Sequence, residues 1–257
     1  MAEKVGGFYD EFAAHFHLIF EDWEASMARQ AAALGPLLER ECGGPAGSLR
    51  VLDCACGIGT QALGLAKRGF RVTGSDLSSG AVARAREEAA IRGLDIPLYV
   101  ADLRDLSGVP DTGFDAAIAM DNALPHLDSD DELAQAARQV RGKLRAGGIF
   151  AASIRDYDSL IVERPKAHGP GFLSDGGRRR ITFQIWDWMD ERRYTFHLYI
   201  TRETAAGWKT FHGASVYRAV LQGELKRILE SAGFVDVRWL MPAESGFYQP
   251  MALARAG

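Results

Sequence analysis

A short apolar run that leads through a glycine loop into a helix constrains this chain more than any other feature. The run at residues 51–54 is followed by Gly57, Gly59 and Ala62 in the pattern G-x-G-x-x-A, and a helical stretch begins at Thr60. Small residues at the carboxyl end of a strand let a ligand approach the backbone closely. Glycine also serves ordinary turns, so the pattern takes its meaning from the strand before it and the helix after it. We therefore expect a ligand site at this turn.

Apolar runs alternate with helical patterns along the chain, which predicts a parallel α/β sheet with right-handed crossovers. Three later β-rich runs lack helices between them and predict an antiparallel insertion. Gly35-Pro36 predicts a break or a restart in the first helix, and Gly147-Gly148 predicts the end of a helix. Residues 178–180 are three arginines and predict a solvated charge run. Strand candidates are residues 49–54, 71–74, 98–101, 114–120, 149–154, 181–189, 193–201, 208–219, 234–241 and 249–254; helix candidates are residues 8–34, 60–67, 80–92, 130–143 and 222–232.

Two acids follow the next two predicted strands and share the edge of the sheet with the glycine loop. Asp76 lies 17 residues after Gly59, about where an acid meets the ribose hydroxyls of an adenosine. Asp102 follows the third strand, where it would accept a hydrogen bond from an exocyclic amine while the Leu103 N–H reaches a ring nitrogen. The alternatives are a helix N-cap for Asp76 and a solvated loop carboxylate for Asp102.

The composition excludes several kinds of partner. The 257 residues include 30 Lys and Arg against 34 Asp and Glu, and a net charge of −4 does not suit a non-specific nucleic-acid binder. No apolar run reaches the roughly 18 residues that a membrane span needs, and no secretory signal is visible. Three cysteines form no disulfide framework, and Cys54 and Cys56 lack a second ligand pair for zinc. We expect a cytoplasmic protein without metal, nucleic-acid or membrane partners.

Together these motifs resemble those of the class I S-adenosylmethionine-dependent methyltransferases. The resemblance covers residues 49–154 and, more loosely, the last two strands. It implies an α/β, Rossmann-like, seven-stranded sheet whose last strand is antiparallel, with S-adenosylmethionine bound over the first strand ends. Ala55 departs from the glycine of many members. The positions that the resemblance assigns to the methyl donor are Asp53, Ala55, Gly57, Gly59, Asp76, Leu77, Asp102, Leu103 and Asp121.

Three segments narrow the resemblance to the glycine and sarcosine N-methyltransferase branch: FYDEFA at residues 8–13, DNALPHL at 121–127 and IRDYD at 154–158. In that branch a tyrosine, an asparagine and an arginine converge on a small amino acid. The matching positions are Tyr9, Asn122 and Arg155, and we add Tyr217 to the predicted acceptor site. Asp121 replaces the usual glycine of the motif, and Leu124-Pro125 lacks its smaller, more polar residue, which leaves the acceptor open.

The methyl transfer that this resemblance implies depends more on alignment of the reactants than on acid–base groups. A sulfonium gives up its methyl by in-line displacement and leaves as a neutral thioether, so the protein mainly positions the nucleophile and excludes water. The predicted catalytic residues are Tyr9, Asn122 and His126, with His126 as the base if the acceptor is an oxygen. The alternatives are packing roles, for Tyr9 on the aromatic face of its helix and for His126 in a loop.

The predicted acceptor is a small molecule that carries a carboxylate or a heteroaromatic ring. The Arg155 guanidinium fork suits a carboxylate, and the alternative is a salt bridge to Asp156 or Asp158. The aromatic side chains of the insertion supply far more area than a glycine-sized acceptor needs. They would line an acceptor pocket, pack a lid, or form a contact in a homo-oligomer.

We expect four segments and one leading function. Residues 1–48 form an N-terminal helical cap, 49–155 the donor-binding core, 156–220 a β-rich insertion or lid, and 221–257 the end of the core. The leading function is methyl transfer to a small molecule, most readily at an amine nitrogen. The alternatives are a nicotinamide-dependent oxidoreductase, although the chain has no Tyr-x-x-x-Lys pair, and a non-catalytic adenosine-nucleotide-binding protein.

Overall fold

The computed structural model describes residues 2–175 and 177–257 and contains two β-sheets. The larger sheet has seven strands in the order β10-β11-β5-β4-β1-β2-β3, and the smaller has four in the order β6-β7-β8-β9. Met1 and Gly176 lie outside the described residues. The strands are β1 (Arg50–Asp53), β2 (Arg71–Asp76), β3 (Leu98–Val100), β4 (Phe114–Ala119), β5 (Leu144–Ser153), β6 (Ala167–Asp175), β7 (Arg178–Trp188), β8 (Arg193–Thr204), β9 (Gly207–Arg218), β10 (Phe234–Leu240) and β11 (Met251–Ala256).

The order of the larger sheet creates a crevice at its carboxyl edge. β1 pairs in parallel with both β2 and β4, so the chain runs outward in opposite directions on either side of β1. Open parallel sheets bind ligands outside the carboxyl ends of the strands at such a reversal. β11 is antiparallel to both β5 and β10, and this confirms the predicted seven-stranded sheet with an antiparallel last strand.

Helices cover both faces of the larger sheet, and the sheet separates the core into two layers. Alternate residues of β4 show the division, because Ala116 and Ile118 pack in one layer while Ala117 and Ala119 pack in the other. None of the described helices is long and apolar enough to span a membrane. The helices are α1 (Ala2–Phe12), α2 (Trp23–Cys42), α3 (Thr60–Lys67), α4 (Ser79–Ile91), α5 (Asp130–Lys143), α6 (Tyr157–Glu163), α7 (Gln222–Ser231) and α8 (Pro242–Ser245).

The smaller sheet covers the crevice with an aromatic inner face. Alternate residues of β8, from Tyr194 through Phe196 to Leu198 and Ile200, are buried, as the two-residue period of a strand requires. α1 packs on this face at Gly213 of β9. A β-carbon there would lie 2.3 Å from the Phe12 ring, so only glycine allows the helix to approach so closely.

The N-terminal helical prediction is wrong in two places. The predicted helix over residues 8–34 is two helices, because α1 ends at Phe12 and α2 begins only after Asp22, whose side chain accepts a hydrogen bond from the Ala25 N–H. The predicted break at Gly35-Pro36 does not occur, and α2 continues to Cys42. The flanking Leu34 and Leu38 are fully buried, so packing outweighs the roughly 3 kcal/mol that an internal proline costs.

Two other local predictions also fail, and one strand was not predicted. Gly147-Gly148 does not stop a helix but forms an irregularity inside β5, where the pairing with β4 shifts. Residues 167–175, which were not a strand candidate, form the edge strand β6, the position where a sheet tolerates proline. Arg180 is not solvated, because its buried guanidinium donates to the Leu18 and Glu21 carbonyls.

The contact between α2 and α3 depends on the missing side chain of Gly64. A β-carbon at this position would lie 2.7 Å from the Met27 carbonyl oxygen and 3.1 Å from the Ala31 β-carbon. Gly64→Ala should therefore lower the free energy of unfolding by about 1–3 kcal/mol, measured by urea denaturation. The control is Gly142→Ala in α5, where no heavy atom lies within 4 Å of the added carbon and where stability should stay equal or rise slightly. Equal midpoints for the two variants would contradict this close packing.

Candidate active site

The glycine loop between β1 and α3 shapes the floor of a cavity at the carboxyl edge of the larger sheet. Gly59 has φ +97°, and a β-carbon there would also lie 2.9 Å from Leu63, so both its conformation and its packing require glycine. Gly57 has φ +52° and open space where a β-carbon would point. This space leaves the backbone accessible to a ligand.

Asp76 ties the glycine loop to the end of β2. Its Oδ2 accepts a hydrogen bond from the Gly57 N–H at 2.8 Å, and its Oδ1 accepts one from the Ser78 N–H at 2.9 Å. The N-cap of α4 is Ser78, so the N-cap alternative for Asp76 does not hold. Each oxygen keeps a lone pair, and Asp76 lines the cavity. Burial raises the pKa of this carboxyl.

Asp53 is a fully buried acid at the end of β1. Neither of its oxygens accepts a hydrogen bond of ordinary geometry from the described residues. Burial, reinforced by the charges of Asp76 and Asp121, raises the pKa of Asp53 to about 8, although the nearby amides of Ala55 and Ala62 oppose the shift. A carboxyl that lacks partners in this position fits a cationic ligand close to the glycine loop.

The third predicted donor acid already has a partner. The Asp102 carboxylate accepts hydrogen bonds from the Arg104 N–H at 2.8 Å and from its Nε–H at 3.0 Å, and Arg104 also pairs with Glu132. Burial opposes ionisation of Asp102, but Arg104 holds its pKa below the usual range. The cavity lining includes Tyr9, Phe16, Cys54, Ala55, Gly57, Asp76, Leu77, Asp102, Leu103, Asp121 and His126, among them most of the predicted donor positions.

A second cavity lies between the larger sheet and the smaller one, and Arg155 is its buried cation. The Arg155 Nη1–H donates to the Tyr194 hydroxyl at 2.6 Å, and the guanidinium lies over the rings of Trp186 and Tyr217, 4.6 and 5.3 Å from their centroids. No acid of the described chain pairs with it. The two predicted alternatives are engaged elsewhere, because Asp156 caps α6 and Asp158 accepts from the Gln222 N–H.

Asn122 supports the second cavity without lining it. This residue has φ +70° and is buried. Its Oδ1 accepts from the Arg155 backbone N–H at 3.0 Å, and its Nδ2–H donates to the Tyr157 hydroxyl at 2.9 Å. The structure therefore brings Asn122 next to Arg155 but occupies its amide with protein groups. The arrangement positions the strand end that carries Arg155.

Tyr9, His126 and Tyr217 form a buried cluster where the two cavities meet. The Tyr9 hydroxyl lies 2.9 Å from His126 Nε2 and 3.3 Å from the Tyr217 hydroxyl. Burial raises the pKa of Tyr9 to about 12, while burial and the Arg155 charge lower the pKa of His126 to about 3. At neutral pH the imidazole is uncharged and the phenol keeps its proton.

Asp121 lines both cavities and is held by two polar side chains. Its Oδ1 accepts from the Tyr248 hydroxyl at 2.6 Å and its Oδ2 from the Gln61 Nε2–H at 2.7 Å. Tyr248 and Gln61 were not predicted, because Tyr248 lies outside the motifs and Gln61 occupies a variable position of the glycine-loop motif. The aromatic residues around Arg155 carried a weak signal, because they recur with a two-residue period along β7 and β8.

Known proteins are similar to this chain in sequence and in fold. A family model described as a methyltransferase domain matches residues 51–148. Human glycine N-methyltransferase is 28% identical over 164 residues, which are 59% of this chain and 54% of that protein. The S-adenosyl-L-methionine-dependent Diels-Alderase iccD of Talaromyces variabilis is 37% identical over 196 residues, 75% of this chain and 55% of that protein. The chain thus spans about half the length of these curated relatives.

A solved structure supports the same fold over nearly the whole chain. It is the SAM-bound structure of CalS10, an amino pentose methyltransferase from Micromonospora echinaspora, with a TM-score of 0.71 at 20% identity, covering 90% of this chain and 92% of that one. At this identity the likeness concerns the fold alone. The glycine loop, the acids at the strand ends and the matches to known sequences agree, and they favour a methyltransferase over the nicotinamide-dependent alternative. These comparisons support the assignment of the chain to the class I S-adenosylmethionine-dependent methyltransferases, with S-adenosylmethionine as the cofactor.

Proposed function

We propose that this protein transfers a methyl group from S-adenosylmethionine to the amine nitrogen of a small carboxylate-bearing molecule. One observation carries the proposal: a cavity lined by acids and a cavity with an unpaired buried arginine share Tyr9, Phe16 and Asp121 in their linings. A cationic donor suits the first cavity, an anionic acceptor suits the second, and the shared lining provides a place for them to meet.

The first cavity has a group for each part of the donor. Asp76 would bind the ribose hydroxyls beside the open backbone of Gly57, and Leu77, Asp102 and Leu103 would surround the adenine. Asp53, whose oxygens lack partners, would stabilise the positive charge of the methionyl part. The bound donor supplies an electrophilic methyl on a sulfonium, and the chain's own residues have to orient the acceptor and exclude water.

The second cavity suits an acceptor larger than glycine. Arg155 offers a fork of N–H donors to a carboxylate, and the surrounding side chains are largely apolar or aromatic. Such a lining favours an aromatic ring next to the carboxylate. In this proposal residues 156–220 form the acceptor roof, residues 1–48 the cap, and residues 49–155 with 221–257 the donor core.

In the proposed reaction the aromatic cluster contributes mainly by positioning the reactants and not by transferring a proton. The Tyr9 hydroxyl, directed by His126 Nε2 and Tyr217, would define the wall against which the methyl group and the nucleophile align. Asn122 is a positioning residue in this scheme, because it holds the Arg155 backbone. The names of human glycine N-methyltransferase and of the amino pentose methyltransferase support an amine acceptor.

An acceptor screen tests the proposed reaction. The purified protein should convert S-adenosylmethionine to S-adenosylhomocysteine together with an acceptor that gains one CH₂, as measured by mass spectrometry. We expect phenylalanine, tryptophan or 4-(aminomethyl)benzoate to react better than glycine, and better than phenethylamine, which lacks a carboxylate. Absence of S-adenosylhomocysteine with every acceptor would contradict methyl transfer. A rearranged product formed without donor consumption would instead favour the kind of reaction that the name of iccD describes.

Substitution of Arg155 tests the role of the buried cation. Arg155→Met should lower kcat/KM for a carboxylate-bearing acceptor about 10- to 100-fold, because a charge-assisted hydrogen bond contributes about 1.5–3 kcal/mol. The dissociation constant for S-adenosylhomocysteine should stay the same. The matched control is Arg179→Met, which removes an exposed guanidinium that lies over Trp208 outside both cavities. Equal kcat/KM in the wild type and in Arg155→Met would refute carboxylate recognition.

Donor binding should release a proton from Asp53. With a pKa of about 8, this carboxyl is mostly protonated at pH 7 in the free protein, and a nearby cation would lower its pKa. Calorimetry at pH 7 in buffers of different ionisation enthalpy should therefore show release of roughly 0.9 proton per donor bound, a value that falls toward zero above pH 9. Asp53→Asn should abolish the release and weaken binding. A binding enthalpy independent of the buffer would show that Asp53 does not face the donor's charge.

A further inference from the structure

Three residues line both cavities, and methyl transfer would take place beside them. Only one of the three is a carboxylic acid. Tyr9, Phe16 and Asp121 share this position among the described residues. Under the proposed function, on which this inference rests, an aliphatic amine arrives as an ammonium. Its nitrogen has no lone pair for attack until a proton leaves, so the junction needs a group that accepts a proton.

The other polar groups nearby are poor proton acceptors. Phe16 has no titratable group, and the pKa of Tyr9 is raised to about 12, so its phenol remains protonated and hydrogen-bonded. His126 lines the donor cavity but not the acceptor cavity. Burial and the charge of Arg155 lower its pKa to about 3, which makes the imidazole a weak base. This leaves the Asp121 carboxylate.

The geometry of Asp121 leaves room for a ligand. Tyr248 and Gln61 each donate one hydrogen bond to it, whereas a carboxylate accepts about four. Its backbone has φ +55°, a left-handed conformation that is strained for a residue other than glycine, and the backbone N–H donates to Ser153 Oγ at 2.8 Å. Glycine, usual at this place in the resembling motif, would avoid the strain. This chain instead directs an acid into both cavities.

We infer that the Asp121 carboxylate binds the acceptor's ammonium group and takes one of its protons during methyl transfer. The proton moves from nitrogen to a carboxylate oxygen, and the freed lone pair forms the N–C bond to the methyl group. The C–S bond breaks, and its electron pair stays on sulfur. The methylated amine leaves as an ammonium, and Asp121 then loses its proton to solvent. Together with Arg155, this assigns the site to acceptors that carry both an aliphatic ammonium and a carboxylate.

Two isomeric acceptors test the inference. 4-(Aminomethyl)benzoate carries an ammonium at neutral pH, whereas 4-aminophenylacetate carries a neutral aromatic amine that has no proton to lose before attack. Asp121→Asn should lower kcat/KM about 100-fold or more for the first acceptor at pH 7 and much less for the second. For the first acceptor its kcat/KM should recover as the pH rises toward the amine's own pKa. The dissociation constant for S-adenosylhomocysteine should change by less than a factor of three.

Matched variants separate the outcomes. Asp131→Asn, an exposed acid on α5, should behave like the wild type, and His126→Gln should affect both acceptors alike. Equal losses on both acceptors in Asp121→Asn, or a large loss of S-adenosylhomocysteine affinity, would overturn the inference in favour of donor binding. If His126→Gln instead lowers kcat/KM for 4-(aminomethyl)benzoate much more than for 4-aminophenylacetate, the imidazole is the proton acceptor and the inference is wrong. A wild type that forms no S-adenosylhomocysteine with either isomer or with the wider acceptor panel would refute the proposed function itself.

Discussion

Three carboxylic acids converge near one edge of a parallel sheet without a basic side chain to balance them. Asp53 is buried, Asp76 and Asp121 are partly buried, and none of the three forms an ion pair within residues 2–175 and 177–257. Burial raises the pKa of all three, which costs folding free energy and leaves the cavity poised for a positive charge. The glycine loop, the strand reversal at β1 and the Asp76 hydrogen bonds keep Asp76 and Asp121 in the lining of the cavity, while Asp53 is buried next to the lining residues Cys54 and Ala55.

The second cavity differs from the first in the Arg155 guanidinium, although Asp121, Asp156 and Glu163 also line it. Arg155 lies among aromatic rings that desolvate it without neutralising it, and Asn122 holds its backbone in place. α1 and the smaller sheet close the space above, with Gly213 allowing the helix to pack tightly. In the proposed reaction, Arg155 and Asp121 would give a zwitterionic acceptor one orientation, with its nitrogen near Tyr9, Phe16 and Asp121.

Local patterns were sufficient to predict that the glycine loop and Asp76 share one edge of the sheet, and tertiary contacts were needed for the rest. Gly57, Gly59 and Asp76 lie within one β-α-β unit, so their spacing alone indicated their shared edge. The partners of Asp102 and Asn122 come from side chains that no periodicity specifies, namely Arg104 and Tyr157. The edge strand β6 and the burial of Arg180 depend on packing across the fold, which the sequence pattern does not encode.

The central claim is that the donor lies in the acidic cavity with its reactive methyl directed toward the arginine cavity. A crystal structure of the complex with S-adenosylmethionine tests it most directly. We expect the ribose hydroxyls at Asp76, the methionyl ammonium on the side of Asp53, and the sulfonium methyl facing the space between Tyr9, Phe16 and Asp121. Density for the donor elsewhere, or a methyl group pointing away from the cavity of Arg155, would contradict the account.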